Sequence, residues 1–436
     1  MFALSLRSVR RRPGRFLATL LSTFLGAAVV MTFNSMHDTA AGDGVDAVSA
    51  DTLGLAAGVV GGYGTLLVFF AVASTLTVNV RQRTAEMELL RCSGATPAQL
   101  GRMVVGEAVA VALAGTVLAI GPAVFGGRAL LDMFQDSGQV ARSVDAAFGP
   151  VALVSGVAVT LLASAGAASL AVRRVTRGSR ERAGARRALA YAALVAGAAG
   201  AGSTFLFSAT DEALMAAPAY GAILLSVGFA LLSPVLLKAV LHRLPLGGAS
   251  GWPAVRNLRR RAGHLAGILV PLILFTAVST ATLTMQSVES DAVRASGLVK
   301  SVDAKNLETL NLTVVGIIAV FVCVMLVNSL YAATAFRSRE FGQLRLAGAT
   351  PGQVLGTVGV EGVILTVTGV LFGTLAALAG IVPFTVVRTD AVLPDQFLGT
   401  WLAMVAVSAA TTLGTSLVTA RRVLRVPAVG AVALAA

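Results

Sequence analysis

Ten apolar runs alternate with short polar segments along the chain: Phe16–Phe33, Leu53–Val78, Met103–Phe125, Phe148–Val172, Ala188–Ser208, Tyr220–Val240, Leu265–Met285, Leu310–Phe336, Val354–Val387 and Phe397–Ala420. Each is long enough to form a helix across a hydrocarbon core, which takes about 20 apolar residues. The pattern predicts an all-α polytopic membrane protein with ten spans. The ninth run contains Pro383, which predicts a kink or tilt.

The polar segments carry a repeat. Arg83–Glu107 (RTAEMELLRCSGATPAQLGRMVVGE) returns as Arg337–Glu361 (RSREFGQLRLAGATPGQVLGTVGVE), 254 positions later, with 11 of 25 positions identical. Charged and turn-forming residues persist while the apolar ones drift, so both copies preserve a water-facing device. The repeat reaches further, because the basic lead-in Leu6–Arg15 resembles Val255–His264 and the Arg-Arg-Val at 173 recurs at 421. The unit is therefore four spans with a basic lead-in and a basic exit. Residues 1–180 form the first unit with an N-terminal interfacial helix, 181–250 supply two linking spans, and 251–436 form the second. An even number of linking spans makes the repeat parallel, unlike the inverted repeats of many secondary transporters. The lead-ins are expected to be short helices in the interface, apolar side to lipid and arginines to headgroups.

Charge sets the orientation. With the N-terminus in the cytoplasm, 28 of the 34 basic residues fall on the inner side and 15 of the 21 acidic residues on the outer, as the positive-inside rule requires. Both termini are then cytoplasmic, in a cell membrane. A net charge of +13 could suggest nucleic acid, but the basic residues hug span ends, where they serve topology and lipid headgroups. At 56% hydrophobic residues the chain is too apolar for an average soluble protein. Cys92 and Cys323 offer neither a disulfide framework nor metal spacing, and His37, His242 and His264 form no catalytic motif.

Each copy of the block reads as helix, break, helix. Gly94 and Gly348 suit a left-handed C-terminal cap. Thr96-Pro97-Ala98-Gln99 and Thr350-Pro351-Gly352-Gln353 have the form of a capping box with proline at the first helical position. The product is a rigid elbow, a short cytoplasmic helix bent against the start of a span. Glu107 and Glu361 follow on the face of Gln99 and Gln353. As carboxylates inside spans they are candidates either for bracing neighbouring helices or for handling a proton or ligand.

These residues resemble the FtsX-like permease family, which includes the membrane parts of MacB-type and lipoprotein-releasing ABC transporters. The resemblance rests on the four-span unit, the basic lead-in and the ExxxLRxxGATPxQ block at Glu86–Gln99 and Glu340–Gln353. It implies that the block is a coupling helix docking on a cytosolic ABC ATPase. One ATPase copy would meet Glu86, Leu90, Arg91, Gly94, Ala95, Thr96, Pro97 and Gln99; a second would meet Glu340, Leu344, Arg345, Gly348, Ala349, Thr350, Pro351 and Gln353. One chain with two units would replace a permease dimer. Better-known members carry a large extracytoplasmic domain where this chain has only Asn34–Thr52 and Gln286–Thr309. The layout without it looks like permeases associated with export of, or resistance to, lipophilic or antimicrobial compounds.

No GxxxxGK[ST] occurs, so ATP and Mg would belong to the partner ATPase and the chain itself would hold no cofactor or metal and catalyse nothing. The expected function is an ABC transporter permease that exports, or transmits force to, a lipophilic or amphipathic substrate, with membrane lipids as its other partner. The alternative is a proton-coupled secondary transporter using Glu107 or Glu361.

Overall fold

The computed structural model describes residues 17–54, 56–58, 89, 92–136, 138, 140–176, 180–209, 214–243, 248–295, 316, 323, 326–327, 330–331, 334 and 337–429. Nine longer helices are described: α1 (Leu17–Ala40), α2 (Pro97–Asp136), α3 (Pro150–Thr176), α4 (Arg180–Ser203), α5 (Ala216–Arg243), α6 (Gly248–Ala295), α7 (Ser338–Leu346), α8 (Pro351–Thr389) and α9 (Phe397–Leu424). No strand occurs among the described residues. All but α7 are long and apolar enough to cross a membrane, giving eight such helices among the described residues. The expected spans Leu53–Val78 and Leu310–Phe336 lie largely outside those residues, as does the first lead-in. Exposed Leu113, Val117, Phe125, Val154 and Leu162 give the helices an apolar outer surface suited to hydrocarbon rather than water.

The described helices fall into two compact units, α1–α3 and α4–α9. In the first, α2 packs closely on α1 because Gly115 presents no side chain; a Cβ there would collide with Thr23. The second repeats this contact at the matching positions, where a Cβ on Gly369 of α8 would lie 2.7 Å from Leu272 of α6. The duplication read from the polar block therefore extends into helix packing. At the start of α3, the Asp38 carboxylate accepts the free N–H groups of Val151 (3.1 Å) and Ala152 (2.8 Å), capping that helix.

In the second unit α4 and α5 form a hairpin, with Gly197 against Gly221 and Leu225, and α5 packs on both α6 and α8. The two linking helices therefore pack within the second compact unit. Nor is the second lead-in a separate interfacial helix: α6 runs unbroken for 48 residues, from Gly248 through Arg261 into the span. No capping residue followed by Glu or Gln interrupts it, and Arg259 donates to the Leu241 carbonyl (2.7 Å), which ties the lead-in to the end of α5. α8 likewise continues through Pro383, so that proline does not end the helix.

Candidate functional site

The elbow of the second copy is formed by α7, a turn, and the start of α8. α7 ends in a Schellman motif: Ala349 N–H donates to Leu344 O (2.9 Å) and Gly348 N–H to Arg345 O (3.1 Å). Gly348 has φ +94°, where a side chain is strained, and Gly94 in the first copy has φ +93°. Both capping boxes form. Thr350 Oγ1 accepts from Gln353 N–H (3.2 Å) while Gln353 Oε1 accepts from Thr350 N–H (2.9 Å); Thr96 and Gln99 do the same at 3.3 and 2.9 Å.

Beneath the elbow lies a buried ionic cluster. Arg337, one residue before α7, donates to Glu340 Oε2 (3.0 Å) and Oε1 (3.1 Å), and also to both oxygens of Glu361 on α8. Asn257 Nδ2 of α6 donates to Glu340 (3.1 Å) and Glu361 (3.2 Å). The Arg337 guanidinium also stacks over the Phe341 ring at 5.0 Å. Burial alone would lower the Arg337 pKa, but the bonds to Glu340 and the charge of Glu361 outweigh it and hold the pKa above its ordinary value. Four side chains thereby join α6, α7 and α8.

The apolar face of α7 completes the joint, Phe341 being buried with Val354, Val358 and Ala420, and Leu344 and Ala349 packing against them. Half-buried Arg345 donates to the carbonyls of Leu424 (3.1 Å), the last residue of α9, and of Val426 (2.8 Å) just past it. Of the second-copy residues expected to meet a partner, Glu340, Leu344, Arg345 and Ala349 face their own chain, while Gly348, Thr350, Pro351 and Gln353 point outward. Leu346, which the repeat does not preserve, is exposed beside them. In the first copy Gly94, Thr96 and Gln99 are exposed, Ala95 is half-buried and Pro97 opens α2; Glu86, Leu90 and Arg91 lie outside the described residues. Glu107 is buried at the place matching Glu361.

Two stretches of the chain, residues 58–177 and 312–428, match the model of the FtsX-like permease C-terminal domain. Together they cover more than half the sequence, in the order the internal repeat requires. The chain belongs to the FtsX-like permease family. It is a duplicated FtsX-like permease, a multi-pass membrane subunit of an ABC-type transporter, from a family of typically non-enzymatic transmembrane subunits that generally partner with a cytosolic ABC ATPase. A comparison with curated proteins finds no match.

Asn257 was not singled out by the sequence reading. Its signal was faint: it breaks a basic lead-in where the first copy has Ser8, another small polar residue.

Proposed function

We propose that this FtsX-like permease receives the closing motion of two ATPase copies through its two elbows and uses it to export, or apply force to, a lipophilic or amphipathic substrate at the cell membrane. Both termini are then cytoplasmic, on the side of the elbows. The ionic cluster of Arg337, Glu340, Glu361 and Asn257 is the observation that carries this reading. It fixes an exposed turn to two membrane helices, so a displacement of the turn displaces them. Contact with the ATPase falls to the outward set, Leu346, Gly348, Thr350 and Pro351, and the inward set passes the load on.

Glu361 is engaged by Arg337 and Asn257, an arrangement suited to a brace rather than to a carboxylate that loads and releases a proton. The test is co-purification of the permease with its cognate ATPase, followed by ATP turnover. Leu346→Asp combined with Cys92→Asp is expected to weaken association, and Gly94→Pro combined with Gly348→Pro to abolish coupled turnover. Unchanged association and turnover in both would refute the proposal.

A further inference from the structure

Among the described residues, the α6–α8 pair carries an arginine–carboxylate tie at each end. The first is the cluster beneath the elbow. At the end remote from it, Arg388, the last residue but one of α8, grips Glu289 of α6 with a fork: Nε donates to Oε2 (2.9 Å) and Nη2 to Oε1 (2.7 Å). The third nitrogen, Nη1, donates to the carbonyl of Ala209 in the connection between α4 and α5. One side chain therefore joins α6, α8 and that connection. From Glu361 to Arg388 the axis of α8 runs about 40 Å, so each tie acts at its own end of the pair.

The two ties differ in burial. The side chains of Arg337 and Glu361 are 10% and 9% exposed, those of Arg388 and Glu289 21% and 36%. Parting the first would strand charges away from water, whereas parting the second leaves each charge within reach of solvent, which takes over much of the lost bonding. Nor does the first copy repeat the second tie. The place of Arg388, 254 positions earlier, holds Phe134, buried with Phe33, Met36, Leu53 and Leu130. An apolar cluster joins the helix ends there, and an ion pair that water can replace joins them here. We infer that the Arg388–Glu289 fork is a latch, which holds the far end of the α6–α8 pair together at rest and parts when the elbow is driven. The latch rests on the coupling proposed above. Load enters where Glu361 and Asn257 bind α8 and α6 to α7, so the buried tie is the pivot and the separation develops at the far end. As the fork parts, Arg388 also lets go of Ala209, and the α4–α5 connection is released with it.

The test has two arms, both in the full chain with Cys92→Ser and Cys323→Ser. In the first, the permease alone in lipid nanodiscs carries spin labels at Ala295→Cys on α6 and Thr389→Cys on α8, and electron paramagnetic resonance reads the distance between them. A single narrow distance is expected. Arg388→Met should broaden it and shift it outward, and the charge swap Arg388→Glu with Glu289→Arg should restore it. Gln396→Ala, which removes the neighbouring bond from Gln396 to Asp291 of α6 (3.1 Å), should leave it unchanged. A distance unmoved by Arg388→Met, or moved as far by Gln396→Ala, would overturn the latch whatever the ATPase does. The second arm uses the complex of permease and ATPase. Bridging Glu289→Cys to Arg388→Cys with a reducible bifunctional thiol reagent should lower permease-dependent ATP turnover roughly tenfold or more, and reductant should restore it. Turnover that the bridge leaves unchanged, in a complex coupled before bridging, would overturn the latch and leave the proposed coupling standing. No permease-dependent turnover before bridging would remove the coupling itself, and the latch with it.

Discussion

Removing one charge from the cluster under the elbow should reveal how firmly it joins the helices. The side chains of Arg337 and Glu361 are only 10% and 9% exposed. Replacing Arg337 by Met removes the guanidinium that bridges two carboxylates, and breaking a buried pair in this way costs about 3–5 kcal/mol. The part specific to the Arg337–Glu361 contact is isolated by a double-mutant cycle with Glu361→Gln. Two charge-assisted bonds link the pair, and residues in direct contact couple by about 0.5–3 kcal/mol. Glu340 remains a partner for Arg337 in the single mutant and takes up some of the loss. We therefore expect a coupling of about 2 kcal/mol, roughly thirtyfold in the folding constant. Unfolding by SDS titration in mixed micelles, followed by tryptophan fluorescence, suits the purpose because both tryptophans, Trp252 and Trp401, lie in the second unit. A coupling below about 0.5 kcal/mol would show that the pair is incidental and that apolar packing alone holds the elbow.

Three further outcomes follow from the geometry. Gly348→Ala places a Cβ at φ +94° and should destabilise the elbow by about 1–2 kcal/mol, measured in the same titration, with Gly348→Asn milder. Arg345→Ala frees the carbonyls of Leu424 and Val426, and faster hydrogen exchange at residues 425–429 is the expected sign; Arg345→Lys should restore much of the protection, since the single nitrogen Nη1 donates to both carbonyls and an ammonium can do the same. The Asp46 carboxylate is held below its ordinary value near 3.8 by the Ser49 hydroxyl and backbone N–H, so its cap on the helix at residues 47–54 is present above that value and lost as pH falls through the depressed one. Exchange at Ser49 and the residues after it should be slow at pH 5 and rise only below about pH 3.8, and Asp46→Ala should remove the dependence.

The sequence revealed what is local. A left-handed glycine and a Thr-x-x-Gln box each use bonds that close within a few residues, so composition and spacing were enough to predict both turns. The partners of Glu361 were harder to read, because Arg337 lies 24 positions away and Asn257 lies 104 away, and only helix packing brings them together. Arg345 was misleading for a different reason. An arginine at the end of a short exposed helix reads the same whether it meets another protein or the last carbonyls of α9. Of the residues that repeat identically, Arg337, Glu340, Arg345 and Glu361 build the joint, while Gly348, Thr350, Pro351 and Gln353 point outward.

The length of α6 has a mechanical meaning. At 48 residues it spans about 72 Å, more than twice the hydrocarbon thickness, and Asn257 grips it near one end. A tilt of about 5° about its centre would swing each tip by about 3 Å, comparable with the diameter of a water molecule. Pro271 sits at that centre and deletes one backbone hydrogen bond from the ladder, so the arm has its pliable point where a fulcrum would be.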